Sequence, residues 1–148
     1  MPASPLAAAI KANGDLLYEI CLRLCLDRPK DARDLLLKTF KKASAALQDK
    51  PKSARLVLLQ QLHKLWPRFA KSKKYLRGDD SKMEFNWKRA LGAQDQEALL
   101  HLNPMERELV VLRFFAELPL SQITKITGSK HNEVVKSFRQ CMEKLVNL

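Results

Sequence analysis

The stretch Leu118-Pro119-Leu120-Ser121-Gln122-Ile123-Thr124-Lys125-Ile126-Thr127-Gly128-Ser129-Lys130-His131-Asn132-Glu133-Val134-Val135-Lys136-Ser137-Phe138-Arg139-Gln140-Cys141 decides the fold. Pro119 breaks the helix before it, because its ring fixes φ and removes a backbone donor. Ser121 is the predicted cap of a short helix over 122–127. Gly128 follows where a left-handed turn is expected, since glycine has no Cβ to oppose a positive φ. A final helix is predicted from about Lys130 to Leu145, with Val134, Phe138, Cys141 and Leu145 recurring at helical spacing on one apolar face. A short helix, a tight turn and a longer amphipathic helix make the pattern of a helix-turn-helix, whose second helix fits the major groove. At about 100° per residue, Asn132, Lys136, Arg139 and Gln140 fall opposite the apolar face. Lys and Arg suit phosphates or guanine, and Asn and Gln suit adenine edges. With Lys130 they form the DNA-facing set expected of this helix.

Working towards the N-terminus, Asn103-Pro104 opens a helix over 105–116, with Asn103 as cap and Pro104 in the first turn. That helix should bury Leu109, Leu112, Phe115 and Ala116, and a short helix over 94–102 precedes it. Three longer helices are predicted upstream. The first spans Leu6 to Leu26, carries Leu17, Ile20, Cys21, Leu24 and Cys25 on one face, and ends at Asp27-Arg28-Pro29. The second, Asp31 to Leu47, has Leu35, Leu36, Thr39, Phe40, Ala43 and Leu47 as its stripe. After a turn at Lys50-Pro51-Lys52-Ser53, with Ser53 as cap, the third runs from Ala54 to Trp66. Leu56, Leu59, Leu62 and Leu65 are its apolar positions, and Pro67 stops or kinks it. Residues 71–94 have no sustained periodicity. The expected fold is all-α: two small helical bundles over 1–75 and 94–148, joined by a linker at 76–93.

Charge separates the same regions. The net charge is +11, yet residues 91–148 balance seven Lys/Arg against seven Asp/Glu, whereas 50–90 carry twelve against three. The basic middle, with Lys64, Arg68, Lys71, Lys73 and Lys74, is a candidate phosphate-contacting surface. Trp66, Phe69, Tyr75, Phe85 and Trp87 interleave with these bases, as stacking platforms for unpaired nucleotides do. Apolar residues are 46% of the chain, enough for a core, and no apolar run reaches the ~20 residues of a spanning helix. Met1–Ala9 lacks the charged start and apolar run of a signal peptide, so a cytoplasmic location and no membrane insertion are expected. Cys21 and Cys25 share a helix face and Cys141 lies far off, which predicts structural thiols in a reducing compartment. His63, His101 and His131 are scattered singly, so neither a metal nor another cofactor is expected. No glycine-rich phosphate loop, nucleophile elbow or metal-spaced His-Glu pair is present, and a non-enzymatic role is expected.

Two segments resemble a known family. Leu102-x-Pro104-x-x-Arg107, Leu112-Arg113-Phe114, Leu120-Ser121-x-Ile123, Gly128 and the Val134/Phe138/Leu145 spacing look like the C-terminal domain of extracytoplasmic-function sigma factors of bacterial RNA polymerase. That domain reads the minus-thirty-five promoter element. Asp31-Ala32-x-Asp34-Leu35, Thr39-Phe40 and Ala43 are similar to the helix by which the family's first domain grips the polymerase clamp. The resemblance implies a region-2-like domain over 1–75, a region-4-like domain over 94–148, and binding to core RNA polymerase and promoter DNA. It implies polymerase-binding roles for Asp31, Asp34, Leu35, Thr39 and Phe40, and places Lys64, Arg68, Lys71, Lys73 and Lys74 along DNA near the melted region.

The sequence departs from that pattern in four places. Leu37 and Lys38 stand where the family usually has Gln-Glu, and Leu65 stands where its melting helix typically has Asn. Pro67 interrupts that helix, and Val135 replaces a common Lys. These departures define an alternative: a sigma-like decoy that no longer initiates transcription but binds an anti-sigma factor.

Overall fold

The computed structural model describes residues 5–49, 54–73 and 99–146. Among them there are six α-helices and no strand, and none of the helices is long and apolar enough to cross a membrane. Lys74, Tyr75, Phe85, Trp87, the 50–53 turn, the linker and most of the 94–102 helix lie outside the described residues.

Helix α1 is Pro5–Leu24, α2 Pro29–Asp49 and α3 Ala54–Ser72. Leu17, Ile20, Cys21 and Leu24 of α1, with Cys25 just after it, pack with Leu35, Thr39, Phe40, Ala43 and Leu47 of α2, all buried. A buried threonine is tolerated because Thr39 Oγ1 donates to the Leu35 carbonyl at 2.8 Å. Asn13, also buried, donates to the Ala9 carbonyl and accepts from Arg55 Nε at 3.0 Å, tying α1 to α3.

Boundaries differ from expectation in all three helices, and α2, Pro29–Asp49, runs two residues past the expected Asp31 to Leu47 at each end. Helix α1 ends at Leu24 rather than Leu26, because Leu26 and Asp27 both turn left-handed, with φ 55° and 58°. The turn buries the Leu26 side chain. Helix α3 continues through Pro67 to Ser72. Losing one backbone donor is offset by burial of Trp66, Phe69 and Ala70 on both sides of the proline. Its buried face is accordingly Val57, Leu58, Leu59, Leu62, Trp66, Phe69 and Ala70, with Leu56 and Leu65 only partly covered.

Helix α4, Pro104–Val110, begins in a complete capping box. Glu106 N–H donates to Asn103 Oδ1 at 2.9 Å, and Asn103 N–H donates to Glu106 Oε1 at 3.1 Å. The helix then widens into a π turn over Val111–Phe115, where Ala116 N–H reaches back five residues to the Val111 carbonyl. The added residue rotates Phe115 out of the core. Its ring lies exposed beneath the Arg23 guanidinium at 4.2 Å, and Ala116 is only partly covered. Glu117 closes the turn at φ 57°. Helix α5, Leu120–Thr127, and α6, His131–Val146, complete the chain. Ser121 lies inside α5, whose N-cap is Pro119, and it makes no capping hydrogen bond.

The first three helices pack against the last three, and polar contacts tie the two sets together. Arg107 is fully buried. Its Nη1 donates to the Leu24 carbonyl at 3.1 Å, Nε to Leu99 at 3.0 Å and Nη2 to Leu102 at 3.3 Å. The cation thus supplies donors to the carbonyl at the C-terminus of α1 and to the turn before α4. Trp66 Nε1 donates to the Pro104 carbonyl at 2.7 Å, and Gln60 Nε2 to that of Lys125 at 3.0 Å.

Candidate nucleic-acid interface

The turn between α5 and α6 depends on Gly128, which has φ 72° and donates its N–H to the Thr124 carbonyl at 2.9 Å. Ser129 N–H adds a bond to Thr127 Oγ1. Helix α6 is then fixed by its apolar face. Val134 and Cys141 are buried, Phe138, Met142 and Leu145 pack against the core, and the Phe138 ring meets Phe114 at 5.6 Å. Its far end is tied by Lys144 Nζ, 2.6 Å from Glu106 Oε1, so the capping box of α4 also positions α6.

With that face inward, Asn132, Lys136, Arg139 and Gln140 are all exposed. Together with Val135 and Glu143 they line one shallow groove along the outer side of α6. Lys130, also exposed, stands just ahead of the helix. Two cations, two amides and one carboxylate in one groove provide point charges for phosphates and donor–acceptor groups for base edges.

The basic middle is assembled only in part. Lys64, Arg68 and Lys71 are exposed and follow i, i+4, i+7 spacing along α3, on the side away from its core face. Lys73 leans 3.7 Å from Asp31. The aromatic platform expected among them is absent from the described surface: Trp66 and Phe69 are buried, their centroids 6.5 Å apart. They are core residues because the helix continues past Pro67 and carries both rings on its inner face.

On α2, Leu35, Thr39 and Phe40 are buried between helices, so they shape the helix and present no surface themselves. Asp31 and Asp34 remain part-exposed. Each carries a lysine: Asp31 pairs with Lys73, and Asp34 with Lys38 at 3.4 Å.

The sequence reading missed a second polar centre. Between α3, α4, α5 and α6 lies a cleft of about 360 Å³. In its wall, His63 Nδ1 is 2.8 Å from Glu108 Oε1, and Glu108 is buried. The hydrogen bond to Glu108 raises the His63 pKa above its ordinary value, against the opposing effect of burial. The available signal was the charged pair Arg107-Glu108 in register with the apolar Val111-Leu112 four residues on, which puts both charges on the buried arc. Cys21, Cys25 and Cys141 are buried free thiols. Burial pushes Cys21 up to about 12 and Cys141 to about 11. Among the described residues no group of three or more His, Cys, Asp or Glu could hold a metal ion. No family model and no curated protein matches the chain.

Proposed function

We propose that this chain is a divergent sigma-like transcription initiation protein of the cytoplasm, acting without a cofactor or catalysis of its own. In this reading α5, the Gly128 turn and α6 are a helix-turn-helix in a region-4-like unit, and α1 to α3 belong to a region-2-like unit. The supporting observation is the outer groove of α6, where Asn132, Lys136, Arg139 and Gln140 share one exposed surface behind a left-handed turn. Asn132 and Gln140 would meet base edges, and Lys130, Lys136 and Arg139 would meet phosphates. The exposed Lys64, Arg68 and Lys71 line would follow the DNA backbone, and Asp31 and Asp34 would face core polymerase. The test is retention of purified core polymerase by the tagged chain, followed by promoter binding at several salt concentrations. Stoichiometric retention is expected, lowered by Asp34→Arg. Lys136→Ala is expected to weaken promoter binding and flatten its salt slope by about one phosphate's share. No retention, or an unchanged slope, refutes the respective surface.

One observation favours the alternative, a sigma-like decoy for an anti-sigma factor. Lys38 sits on Asp34, so the carboxylate offered to polymerase is already paired within the chain. Capture of a small regulatory protein without polymerase would select this reading and remove the DNA-facing roles.

A further inference from the structure

Along the outside of α2, Lys30, Arg33, Leu37 and Lys41 recur at steps of three and four residues, so their side chains share one stripe. All four are exposed, on the side away from the buried Leu35, Thr39, Ala43 and Leu47. At 1.5 Å per residue the row is about 16 Å long. Its charge has one sign. None of the three cations forms an ion pair with a described residue. The carboxylate next to the stripe, Asp34, is held by Lys38 at 3.4 Å.

The stripe runs against the interests of the helix that carries it. Lys30 stands in the first turn of α2, where the helix dipole is positive and favours a carboxylate. Arg33, three residues on, is a like charge on the same face and repels it. Leu37, between Arg33 and Lys41, is 65% exposed on a helix that already has a full apolar face in the core. Local rules broken together, with no compensation inside the chain, mark a surface shaped for something outside it.

We propose that this stripe is the docking surface for an acidic amphipathic helix of a partner protein. Its carboxylates meet Lys30, Arg33 and Lys41, and its apolar side chains cover Leu37. Three turns of such a helix span the row. A nucleic-acid backbone would pair with the cations and leave Leu37 in water. A bilayer would find a single leucine to insert, because the other apolar face of α2 lies inside the bundle. A second copy of the chain would set the same cations against each other. The proposal does not rest on the sigma-like reading, since an acidic segment fits this face whichever partner carries it.

Amide NMR of the full chain tests it, with a synthetic helical peptide that carries leucines on one face and glutamates along both flanks. Saturable shifts along α2 are expected by about 1 mM peptide. Leu37→Ser is expected to weaken binding about tenfold through lost apolar contact, and Lys41→Glu about fivefold. Lys11→Glu, an equal change of charge on α1, should leave it unchanged. All three positions are exposed, so the fold is kept. Absence of shifts along α2, equal weakening by Lys11→Glu, or tighter binding of the stripe to oligothymidylate or anionic vesicles overturns the proposal. Polymerase plays no part in this measurement, so its outcome is separate from that of the sigma-like reading.

Discussion

Replacing Arg107 with methionine sets two opposing terms against each other. Burial draws the guanidinium pKa from 12.5 to about 10, so the charged form is disfavoured in the fold by about 3 kcal/mol at 1.36 kcal/mol per unit. Methionine, of similar reach and uncharged, escapes that penalty. Against it, the carbonyls of Leu24, Leu99 and Leu102 each lose a charged donor. A buried acceptor left unpaired costs roughly 1–3 kcal/mol, about 3 for Leu24 and about 1 for Leu102 at 3.3 Å, while Leu99, which keeps the Leu102 N–H at 3.2 Å, loses about 1, giving about 5 kcal/mol in all. The balance predicts that Arg107→Met lowers stability by about 2 kcal/mol, a large share of the ~5–15 kcal/mol typical of a domain. Arg107→Lys should lose at least as much, since it keeps a buried charge but lacks the planar fork that reaches three acceptors. Urea unfolding followed by circular dichroism measures both. A methionine variant as stable as the wild type would show that the burial penalty dominates and that these hydrogen bonds do not join the halves.

The remaining predictions use the same assay or simpler ones. His63 has its folded pKa raised by Glu108. The pair's contribution should therefore be complete below the unfolded histidine pKa of about 6.5 and decline as pH rises through the folded value. His63→Gln should remove that part of the pH dependence of the urea midpoint, and an identical profile would show that the pair contributes nothing. Gly128 and Glu117 both have left-handed backbones, φ 72° and 57°, and no atom lies within 4 Å of a Cβ built on Gly128. Gly128→Ala should therefore destabilise by about 1 kcal/mol through backbone strain alone, whereas Glu117→Gly should stabilise by a similar amount. Equal signs at the two positions would refute the strain argument. The three buried thiols should resist a thiol-reactive dye in the folded protein and react in urea. Rapid modification without denaturant would show that their helices open.

What could be read from the sequence was local. Asn103 as cap with Pro104 in the first turn was legible because the cap bond closes within four residues, and the structure adds the reciprocal bond to Glu106 that completes a capping box. Gly128 was legible for the same reason, and so were the apolar faces of α2 and α6, which periodicity alone defines. The errors arose where burial overrides a local rule. Pro67 reads as a stop, but Trp66, Phe69 and Ala70 continue the core face past it. Phe115 reads as core at helical spacing, but the π turn adds a residue and puts its ring under Arg23. Trp66 and Phe69 read as exposed platforms because they neighbour lysines in sequence, yet the long helix turns lysines and rings to opposite sides. Arg107 and Glu108 could be noticed as charges in an apolar register, but their partners are 83 and 45 residues away. Nothing local encodes those distances.

The long-range polar contacts bear on the proposed function. Under the sigma-like reading, one unit meets the melted region and the other an upstream element, so the two act at separate places on DNA. In the structure they are joined by Arg107 to Leu24, Trp66 to Pro104, His63 to Glu108 and Gln60 to Lys125. The donors of the first two, Arg107 and Trp66, are fully buried in the joined form, whereas the Gln60 contact is near solvent. A partner that separates the halves must favour the separated arrangement by more than these contacts are worth, since binding shifts an equilibrium only by its differential affinity. Weakening the contacts by Arg107→Met should then raise polymerase affinity under the working-factor reading even as it lowers stability. An affinity that falls in step with stability would mean that polymerase binds the joined form.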